Sequence, residues 1–160
     1  MRPSAQAIIT SPIGKIAVMN NEQALTHIDV HADSVPYVVI GANNLTAEIV
    51  GQLTAYFAKK TNQFDLPMQI SGTVFQEKVW QALKNIPFGA CLTYGELAKE
   101  VNTSARAIGG ACRNNPIPIV IPCHRIVAAN GIGGYSGQWR LGHKVDVKRW
   151  LLKHEQSEKA

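Results

Sequence analysis

The sequence predicts a small α/β domain followed by a mainly helical domain. Three observations lead to this fold class. Short apolar runs alternate with turn residues over the first 40 positions, apolar side chains share one helical face between residues 45 and 57, and helix-capping signals recur after residue 72. The stretch 62–71, which contains a proline, is predicted to be a linker between the two regions. We therefore expect domains at 1–68 and 69–160.

The first domain is predicted to hold three or four strands and one helix. Apolar runs at 7–10, 15–19 and 25–30 are separated by turn residues and predict strands, and 35–40 is a possible fourth strand. A helical period follows them. The apolar side chains that share one face of this helix are Leu45, Ile49, Leu53, Tyr56 and Phe57.

Capping boxes indicate where two helices of the second domain begin. Thr73 is followed three residues later by Gln76, and Thr93 is followed in the same way by Glu96. A turn after the second helix leads to Ser104, which can cap a third helix. The second and third helices form a helix-turn-helix candidate. The pattern alone does not decide its role, because many helical hairpins bind no nucleic acid.

Small residues dominate the third predicted helix, which covers 105–113. Each interior glycine costs a helix about 1 kcal/mol, so we expect another molecule to approach this helix closely. A slim helix suits the minor groove of DNA, which is only about 6 Å wide. Tight packing against a neighbouring helix is the alternative explanation. The candidate DNA contacts on this helix are Ala105, Arg106, Ala107, Gly109 and Arg113.

The positive charge is unevenly distributed along the chain. Residues 1–90 carry six basic and six acidic side chains, whereas residues 91–160 carry ten basic and five acidic ones. The whole net charge of +5 therefore lies in the second region. This indicates an anionic partner, with nucleic acid the leading class. A basic face without a specific partner would explain the charge equally well.

Cysteine use and hydropathy exclude several classes of protein. The three cysteines contain no Cys-x-x-Cys pair and none lies in the first 90 residues, which argues against a disulfide framework and a zinc site. A reducing cytoplasm is the expected location. The apolar stretch near the N-terminus is too short and too interrupted for a signal peptide or a membrane span.

The most informative motif is Pro122-Cys123-His124-Arg125, which follows an apolar, proline-rich arm at 117–122. A cysteine is a useful nucleophile only as the thiolate, and a free thiol has a pKa of about 8.5. His124 is therefore a candidate base or proton relay, and Arg125 adds positive charge nearby. The alternative is a core cysteine beside a surface histidine, because free cysteines are often buried.

Taken together, these segments resemble the O6-alkylguanine-DNA alkyltransferase family, also called methylated-DNA–protein-cysteine methyltransferases. The resemblance covers nearly the whole chain. It implies an N-terminal RNase H-like α/β domain and a C-terminal, mainly helical domain with a winged-helix-like helix-turn-helix. The segments that carry it include Ser11-Pro-Ile-Gly14, Gly72-Thr-Val-Phe-Gln76, Thr93-Tyr-Gly-Glu-Leu-Ala98, Ile121-Pro-Cys-His-Arg-Ile-Val127, Gly134-Tyr-Ser-Gly137 and Trp150-Leu-Leu152.

The resemblance also implies the activity and the partner. The family repairs DNA by moving the alkyl group of O6-alkylguanine, and by expectation of O4-methylthymine, irreversibly to a cysteine, here Cys123. The damaged base is first flipped out through the minor groove of double-stranded DNA. The implied protein acts once per molecule, as a monomer, without a cofactor, a bound metal, a membrane or an obligate protein partner.

The resemblance assigns the chemistry to four side chains. Cys123 is the acceptor, His124 is its base acting through a water molecule, and Glu155 is the carboxylate that orients His124. Tyr94 matches the phenol that donates a proton to the guanine ring. Taken singly, Tyr94 could equally be a core tyrosine, and Glu155 could be a solvated acid in the last turn of a helix.

The remaining assigned residues handle the DNA and the flipped base. Arg106 matches the side chain that fills the space left by the base, and Asn115 matches a hinge residue between the recognition helix and the active-site arm. The backbone of Ile126 is expected to contact the guanine amino group. The substrate-pocket loop contains Tyr135, Ser136 and Gly137.

Two other functional classes compete with alkyl transfer. A cysteine hydrolase could use Cys123, His124 and Glu155, but it would leave the basic helix-turn-helix unexplained, and the sequence offers no obvious oxyanion helix. A module that binds lesions without chemistry would share the DNA-binding features. The presence of Cys123 argues against that module.

Overall fold

The structure is a computed structural model that describes residues 2–135 and 143–156. The chain divides into two compact units, Met1–Ile70 and Ser71–Ala160. The domains predicted from the sequence, 1–68 and 69–160, stay a prediction. Within the described residues, no helix is long and apolar enough to cross a membrane.

The first unit contains an antiparallel sheet of three consecutive strands and a short parallel pair of two-residue strands, Ser4–Ala5 with Val38–Val39. The three main strands are confirmed within one or two residues. The possible fourth strand also forms, but it covers only two residues. In chain order, the strands are β1 (Ser4–Ala5), β2 (Ala7–Ser11), β3 (Gly14–Asn20), β4 (Leu25–Asp29) and β5 (Val38–Val39).

Helix α1 (Asn44–Phe57) packs against β2 and β3. Asn43 caps it by accepting a hydrogen bond from the amide of Thr46, whose hydroxyl bonds back to the Asn43 amide. The helix buries Ile49, Leu53 and Tyr56, as its apolar period predicts. The fold class of the first unit therefore follows from the sequence pattern.

The stretch predicted as a linker is partly structured. Met68 pairs in parallel with Leu25, whose amide donates to the carbonyl of Pro67 at 2.8 Å, while the amide of Gln69 donates to the carbonyl of Leu25 at 2.9 Å. Pro67 fits this position because only its carbonyl is needed there. The linker interpretation is therefore wrong for residues 67–69, which extend the sheet beside β4.

The second unit is mainly helical, as expected. The two-residue strands Leu92–Thr93 and Ile126–Val127 pair in parallel. A 3-10 turn forms at Cys123–Arg125. The elements are α2 (Val74–Lys84), β6 (Leu92–Thr93), α3 (Tyr94–Glu100), α4 (Ala105–Arg113), β7 (Ile126–Val127) and α5 (His143–Gln156).

All three predicted caps of the second unit form. The hydroxyls of Thr73 and Thr93 accept the amides of Gln76 and Glu96 at 3.0 and 3.1 Å, and both capping boxes are complete. Ser104 caps α4 by accepting an amide at 3.1 Å. These local bonds set where α2, α3 and α4 begin, so they fix the helix-turn-helix formed by α3 and α4.

The helix-turn-helix packs against the apolar core of the second unit. Leu97 of α3 and Ile108 of α4 are fully buried, as is Leu83 of α2. Trp80 is also buried, and its indole nitrogen donates to the carbonyl of Ala111 in α4 at 2.9 Å. One face of α4 is thereby fixed to the core, which leaves the face with Ala105 and Arg106 exposed.

Candidate active site and DNA-binding surface

The apolar arm before Cys123 is buried and fixed at its start by Asn115. The side-chain amide of Asn115 donates to the carbonyl of Ile121 at 2.8 Å, and its oxygen accepts the amide of Ile117 at 2.9 Å. The whole segment 117–126 is buried. Asn115 thus closes the turn between α4 and the arm, and its role as a hinge stays a prediction.

Cys123 begins the 3-10 turn and is only 7% exposed. Burial raises the pKa of its thiol, because a thiolate loses hydration there. A hydrogen bond with Asn115 and the positive charge of Lys148 act in the opposite direction. The thiolate therefore depends on polar groups that the protein places around it.

His124 and Glu155 form a buried pair. The Nε2 atom of His124 lies 2.6 Å from Oε2 of Glu155, which α5 contributes from its last turn. The two residues are 0% and 4% exposed, so the alternatives of a surface histidine and a solvated acid are wrong. Because Nε2 contacts the carboxylate, Nδ1 is the ring nitrogen that can form a hydrogen bond with another group. It is buried and makes no hydrogen bond within the described part of the chain.

The protonation state of the pair follows from its surroundings. Burial lowers the pKa of His124, and the hydrogen bond with Glu155 opposes that shift. Burial would raise the pKa of Glu155, but His124 and Arg125 hold it well below its usual range. A neutral imidazole beside an ionised carboxylate donates through Nε2, which leaves Nδ1 as an acceptor.

Arg125 binds Glu155, which differs from the expectation that it would assist the thiol. Its Nε donates to Oε1 of Glu155 at 2.8 Å and its Nη2 donates to Oε2 at 3.1 Å. Its Nη1 donates to the carbonyl of Ile86 at 2.6 Å. The guanidinium charge is thus directed at the carboxylate, and the interpretation of Arg125 as a charge beside Cys123 is corrected.

Lys148, a fully buried cation of α5, was not among the site residues predicted from the sequence. Its Nζ donates to the carbonyls of Ile126 at 2.5 Å and Gly134 at 2.9 Å, and it lies 5.7 Å from the ring centroid of Tyr94. Burial lowers the pKa of Lys148 to about 8, although nearby cysteines act to raise it. The sequence does contain a signal for the burial of Lys148, because Lys148 lies at helical spacing from Leu151 and Glu155 on the buried face of α5.

A cavity of about 440 Å³ is lined by both Cys123 and residues of the helix-turn-helix. It brings together Cys123, Tyr94 and Tyr135 with four of the five predicted DNA contacts on α4. Ala107 is the exception, since it does not line this cavity. The lining residues are Tyr94, Ala105, Arg106, Gly109, Gly110, Cys112, Arg113, Cys123, Gly134 and Tyr135.

Tyr94 faces the cavity, so its interpretation as a core tyrosine is wrong. Its hydroxyl donates to the carbonyl of Gly134 at 3.4 Å. Gly133 makes this approach possible: its φ is +79°, and an added Cβ would lie 3.0 Å from the Tyr94 ring. Burial raises the pKa of Tyr94, so the phenol keeps its proton at neutral pH. Tyr135 is likewise buried and protonated beside the same cavity.

Two predicted pocket residues, Ser136 and Gly137, lie outside the described residues. Ile126, whose backbone is predicted to contact the guanine amino group, lies directly after the 3-10 turn, where its carbonyl accepts a hydrogen bond from Lys148. Among the described residues, no group of three or more His, Cys, Asp or Glu side chains could hold a metal ion.

Two small residues of α4, Ala105 and Gly110, are exposed. Arg106 and Arg113 are exposed, and an added Cβ at Gly110 would meet no atom of the described structure within 4 Å. The alternative that these small residues serve tight helix packing is therefore wrong at Gly110. This leaves a slim, basic helix face beside the mouth of the cavity.

Comparison with known families covers almost the whole chain. Residues 6–70 match the ribonuclease-like domain of 6-O-methylguanine DNA methyltransferase, and residues 74–157 match its DNA-binding domain. These matches confirm the fold expected for both regions: a ribonuclease-like α/β domain followed by a mainly helical DNA-binding domain.

Individual relatives agree with the family models. A methylated-DNA–protein-cysteine methyltransferase of Methanosarcina acetivorans is 39% identical over 94% of this chain and 97% of its own length. The one from Mycobacterium leprae is 40% identical over 91% and 90%. A crystal structure of Mycobacterium tuberculosis OGT in complex with DNA has a TM-score of 0.80 at 36% identity, covering 93% of this chain and 91% of that chain. The chain therefore belongs to the 6-O-methylguanine DNA methyltransferase family.

Proposed function

We propose that this protein repairs DNA by direct reversal, transferring the alkyl group of O6-alkylguanine in double-stranded DNA to Cys123. The relatives that match it over nearly their full length are methylated-DNA–protein-cysteine methyltransferases, and one solved neighbour is an OGT in complex with DNA. The observation that carries the proposal is a single cavity lined by both the acceptor cysteine and the basic helix α4.

The reaction joins the thiolate to the alkyl carbon of the damaged base and requires a proton for the leaving guanine. The Cys123 sulfur attacks the alkyl carbon, an S–C bond forms, and the C–O6 bond breaks with its electron pair moving into the guanine. A proton donated by Tyr94 to the ring would neutralise the leaving base. Because Tyr94 keeps its proton at neutral pH, it can act as that donor.

The buried pair supports formation of the thiolate. We infer that His124 accepts the thiol proton at Nδ1 through a bridging water molecule, while Glu155 stabilises the resulting positive charge at Nε2. Lowering a thiol pKa from about 8.5 to 7 raises the thiolate fraction roughly sixteenfold at pH 7, equivalent to about 1.6 kcal/mol in barrier.

The cavity has a suitable size for an extruded base. Ligand pockets of about 300–1,000 Å³ hold small molecules, and this cavity measures about 440 Å³. A base stacked in a duplex cannot reach Cys123, so we infer flipping through the minor groove, with Arg106 filling the space that the base leaves. Its exposed position on α4, next to the cavity, supports this role.

O4-methylthymine is a second proposed substrate. It carries a methyl group on an exocyclic oxygen of a base, as O6-methylguanine does, and its ring is smaller than that of guanine. The same attack at the methyl carbon would therefore apply. A cytoplasmic location is proposed as well, which the three free cysteines of the chain support.

Intact mass measurement tests the proposed function. The protein is incubated with an excess of duplex DNA containing O6-methylguanine, with unmethylated duplex and a Cys123→Ala variant as controls. We expect one added methyl group per molecule, located on Cys123, and then no further reaction, because a thioether is a poor leaving group. Product beyond one equivalent would indicate a turning-over enzyme, and an unchanged mass with tight binding would indicate a binding module.

A further inference from the structure

Lys148 is a buried cation that the proposed reaction does not use. Its side chain is 0% exposed, although removing an ammonium group from water is costly unless partners compensate. The described partners of its Nζ are two backbone carbonyls rather than a carboxylate. Such a placement needs an explanation beyond helix packing, since an apolar side chain could fill the same space at lower cost.

The two carbonyls belong to segments that shape the site. Ile126 directly follows the 3-10 turn that carries Cys123. Gly134 precedes Tyr135 in the cavity wall and also accepts the hydroxyl of Tyr94. One ammonium group therefore connects the acceptor turn to the cavity wall that holds both tyrosines.

We propose that Lys148 is a positioning residue for alkyl transfer, fixing the Ile126 and Gly134 carbonyls relative to each other and directing a positive charge toward Cys123. This inference rests on the proposed function for its role in transfer. Its effect on the thiol can be measured without DNA.

The charge of Lys148 acts on several titratable groups. It faces Cys123 and His124 from the acceptor turn, Cys112 from α4, Cys91 from the segment before β6, and Tyr94 from α3. It favours the thiolate of Cys123, and it lowers the pKa of His124, which keeps the imidazole neutral and able to accept a proton. The single charge of Lys148 therefore stabilises the thiolate of Cys123 and also keeps the imidazole of His124 neutral.

The sign of the pH dependence follows from this arrangement. Lys148 has a pKa of about 8, so its charge is present at neutral pH and is lost as the pH rises past that value. Removing the charge permanently should raise the pKa of Cys123, which moves thiolate formation to higher pH. The variant should then regain reactivity in alkaline solution, where the wild type itself loses the lysine charge.

The test compares Lys148→Met, which keeps length and removes charge, with Lys148→Arg, which keeps charge. Lys153→Met is the matched control, because Lys153 is an exposed lysine of the same helix. Thermal unfolding first establishes that each variant is folded. Reaction of Cys123 with iodoacetamide is then followed against pH by peptide mass, and single-turnover transfer and DNA affinity are measured separately.

We expect Lys148→Met to raise the midpoint of the iodoacetamide profile and to slow methyl transfer at neutral pH about tenfold, as a shift of one pKa unit would do. Affinity for DNA should stay within about twofold, because phosphate contacts dominate it. Lys148→Arg should lie between Lys148→Met and the wild type, and Lys153→Met should match the wild type. A folded Lys148→Met with an unchanged midpoint and rate would overturn the inference.

A second measurement covers the case in which Lys148→Met does not fold. NMR of lysine-labelled protein would follow the titration of Lys148 in the wild type and in Cys123→Ser. Loss of the thiolate should lower the pKa of Lys148, because the interaction is mutual, and equal values would overturn the inference. Failure of the wild type to accept a methyl group would instead refute the proposed function, with both thiol readouts unaffected.

Discussion

The imidazole of His124 contacts the carboxylate of Glu155 at 2.6 Å, although 30 residues separate them in the chain. Helix α5 brings Glu155 to the turn that carries His124, and both side chains are buried. The orientation of the imidazole is thus set by a residue from the far end of the second unit. Its other nitrogen, Nδ1, makes no hydrogen bond within the described residues, and the proposed mechanism assigns it to the thiol proton.

Removing either partner of this pair should move alkyl transfer to higher pH. Burial raises the pKa of Cys123, so without the base the thiol should ionise only at more alkaline pH. We expect His124→Ala to cut transfer at pH 7 by at least about tenfold, because a positioned general base typically contributes about 10²–10⁴ in rate. Raising the pH should recover part of the loss. Single-turnover rates against pH for wild type, His124→Ala and Glu155→Gln provide the measurement.

Glu155→Gln and Glu155→Ala serve as the graded controls for this prediction. The amide of glutamine can still hold the imidazole but stabilises its positive form less well, so Glu155→Gln should be the milder change. A purely structural Glu155 would lower thermal stability without altering the shape of the profile. Superimposable profiles for all variants would leave Cys123 activated by Asn115 and Lys148 alone.

Arg125 should matter for stability more than for the thiol. Its guanidinium binds both oxygens of the buried Glu155 carboxylate, so Arg125→Met would leave that carboxylate with one fewer cation. Breaking a buried ion pair from one side costs about 3–5 kcal/mol. Urea unfolding of Arg125→Met beside the wild type would measure the loss. Arg113→Met is the control, because Arg113 is exposed on α4.

The same carboxylate predicts how stability depends on pH. The folded-state pKa of Glu155 lies well below its unfolded value, so its contribution is present above about pH 4.3 and is lost as the pH falls below it. Glu155→Gln should remove this component of acid denaturation. If the wild type and Glu155→Gln lose stability in parallel on acidification, the carboxylate does not contribute in this way.

How far the sequence predicted this site depends on how local each signal is. The capping boxes at Thr73 and Thr93 were predictable because their bonds form within one helical turn. The pairing of Leu25 with Met68 was not, because it joins residues far apart in the chain. The family resemblance supplied Glu155, which no local spacing links to His124.

The prediction that Arg125 places its charge beside Cys123 is wrong for a geometric reason. Cys123, His124 and Arg125 form a 3-10 turn, in which successive side chains point about 120° apart. Adjacent residues therefore cannot all face one thiol, and Arg125 reaches Glu155 instead. Lys148 was not predicted as a site residue because lysine is rarely fully buried, so the residue type favours a surface position.

Arg106 offers a test that separates base flipping from chemistry. It is exposed on α4 and lines the cavity, and the proposed function assigns it the space that the flipped base leaves in the duplex. Flipping costs a few kcal/mol, so Arg106→Ala should slow repair of duplex DNA by about tenfold or more. Reaction with free O6-benzylguanine, if that base is accepted, should change much less, because a free base needs no flipping. Single-turnover rates on both substrates give the ratio.

The neighbouring Arg113 supplies the matched control for Arg106. It is also an exposed arginine of α4 that lines the cavity, so Arg113→Ala removes the same charge from the same surface. If Arg106 acts by occupying the duplex, Arg106→Ala should widen the ratio of free-base to duplex rates far more than Arg113→Ala. If it contributes only charge, both variants should weaken duplex binding equally, and added salt should erase the difference from the wild type. Equal losses on duplex and free base would assign Arg106 to folding or to the chemistry.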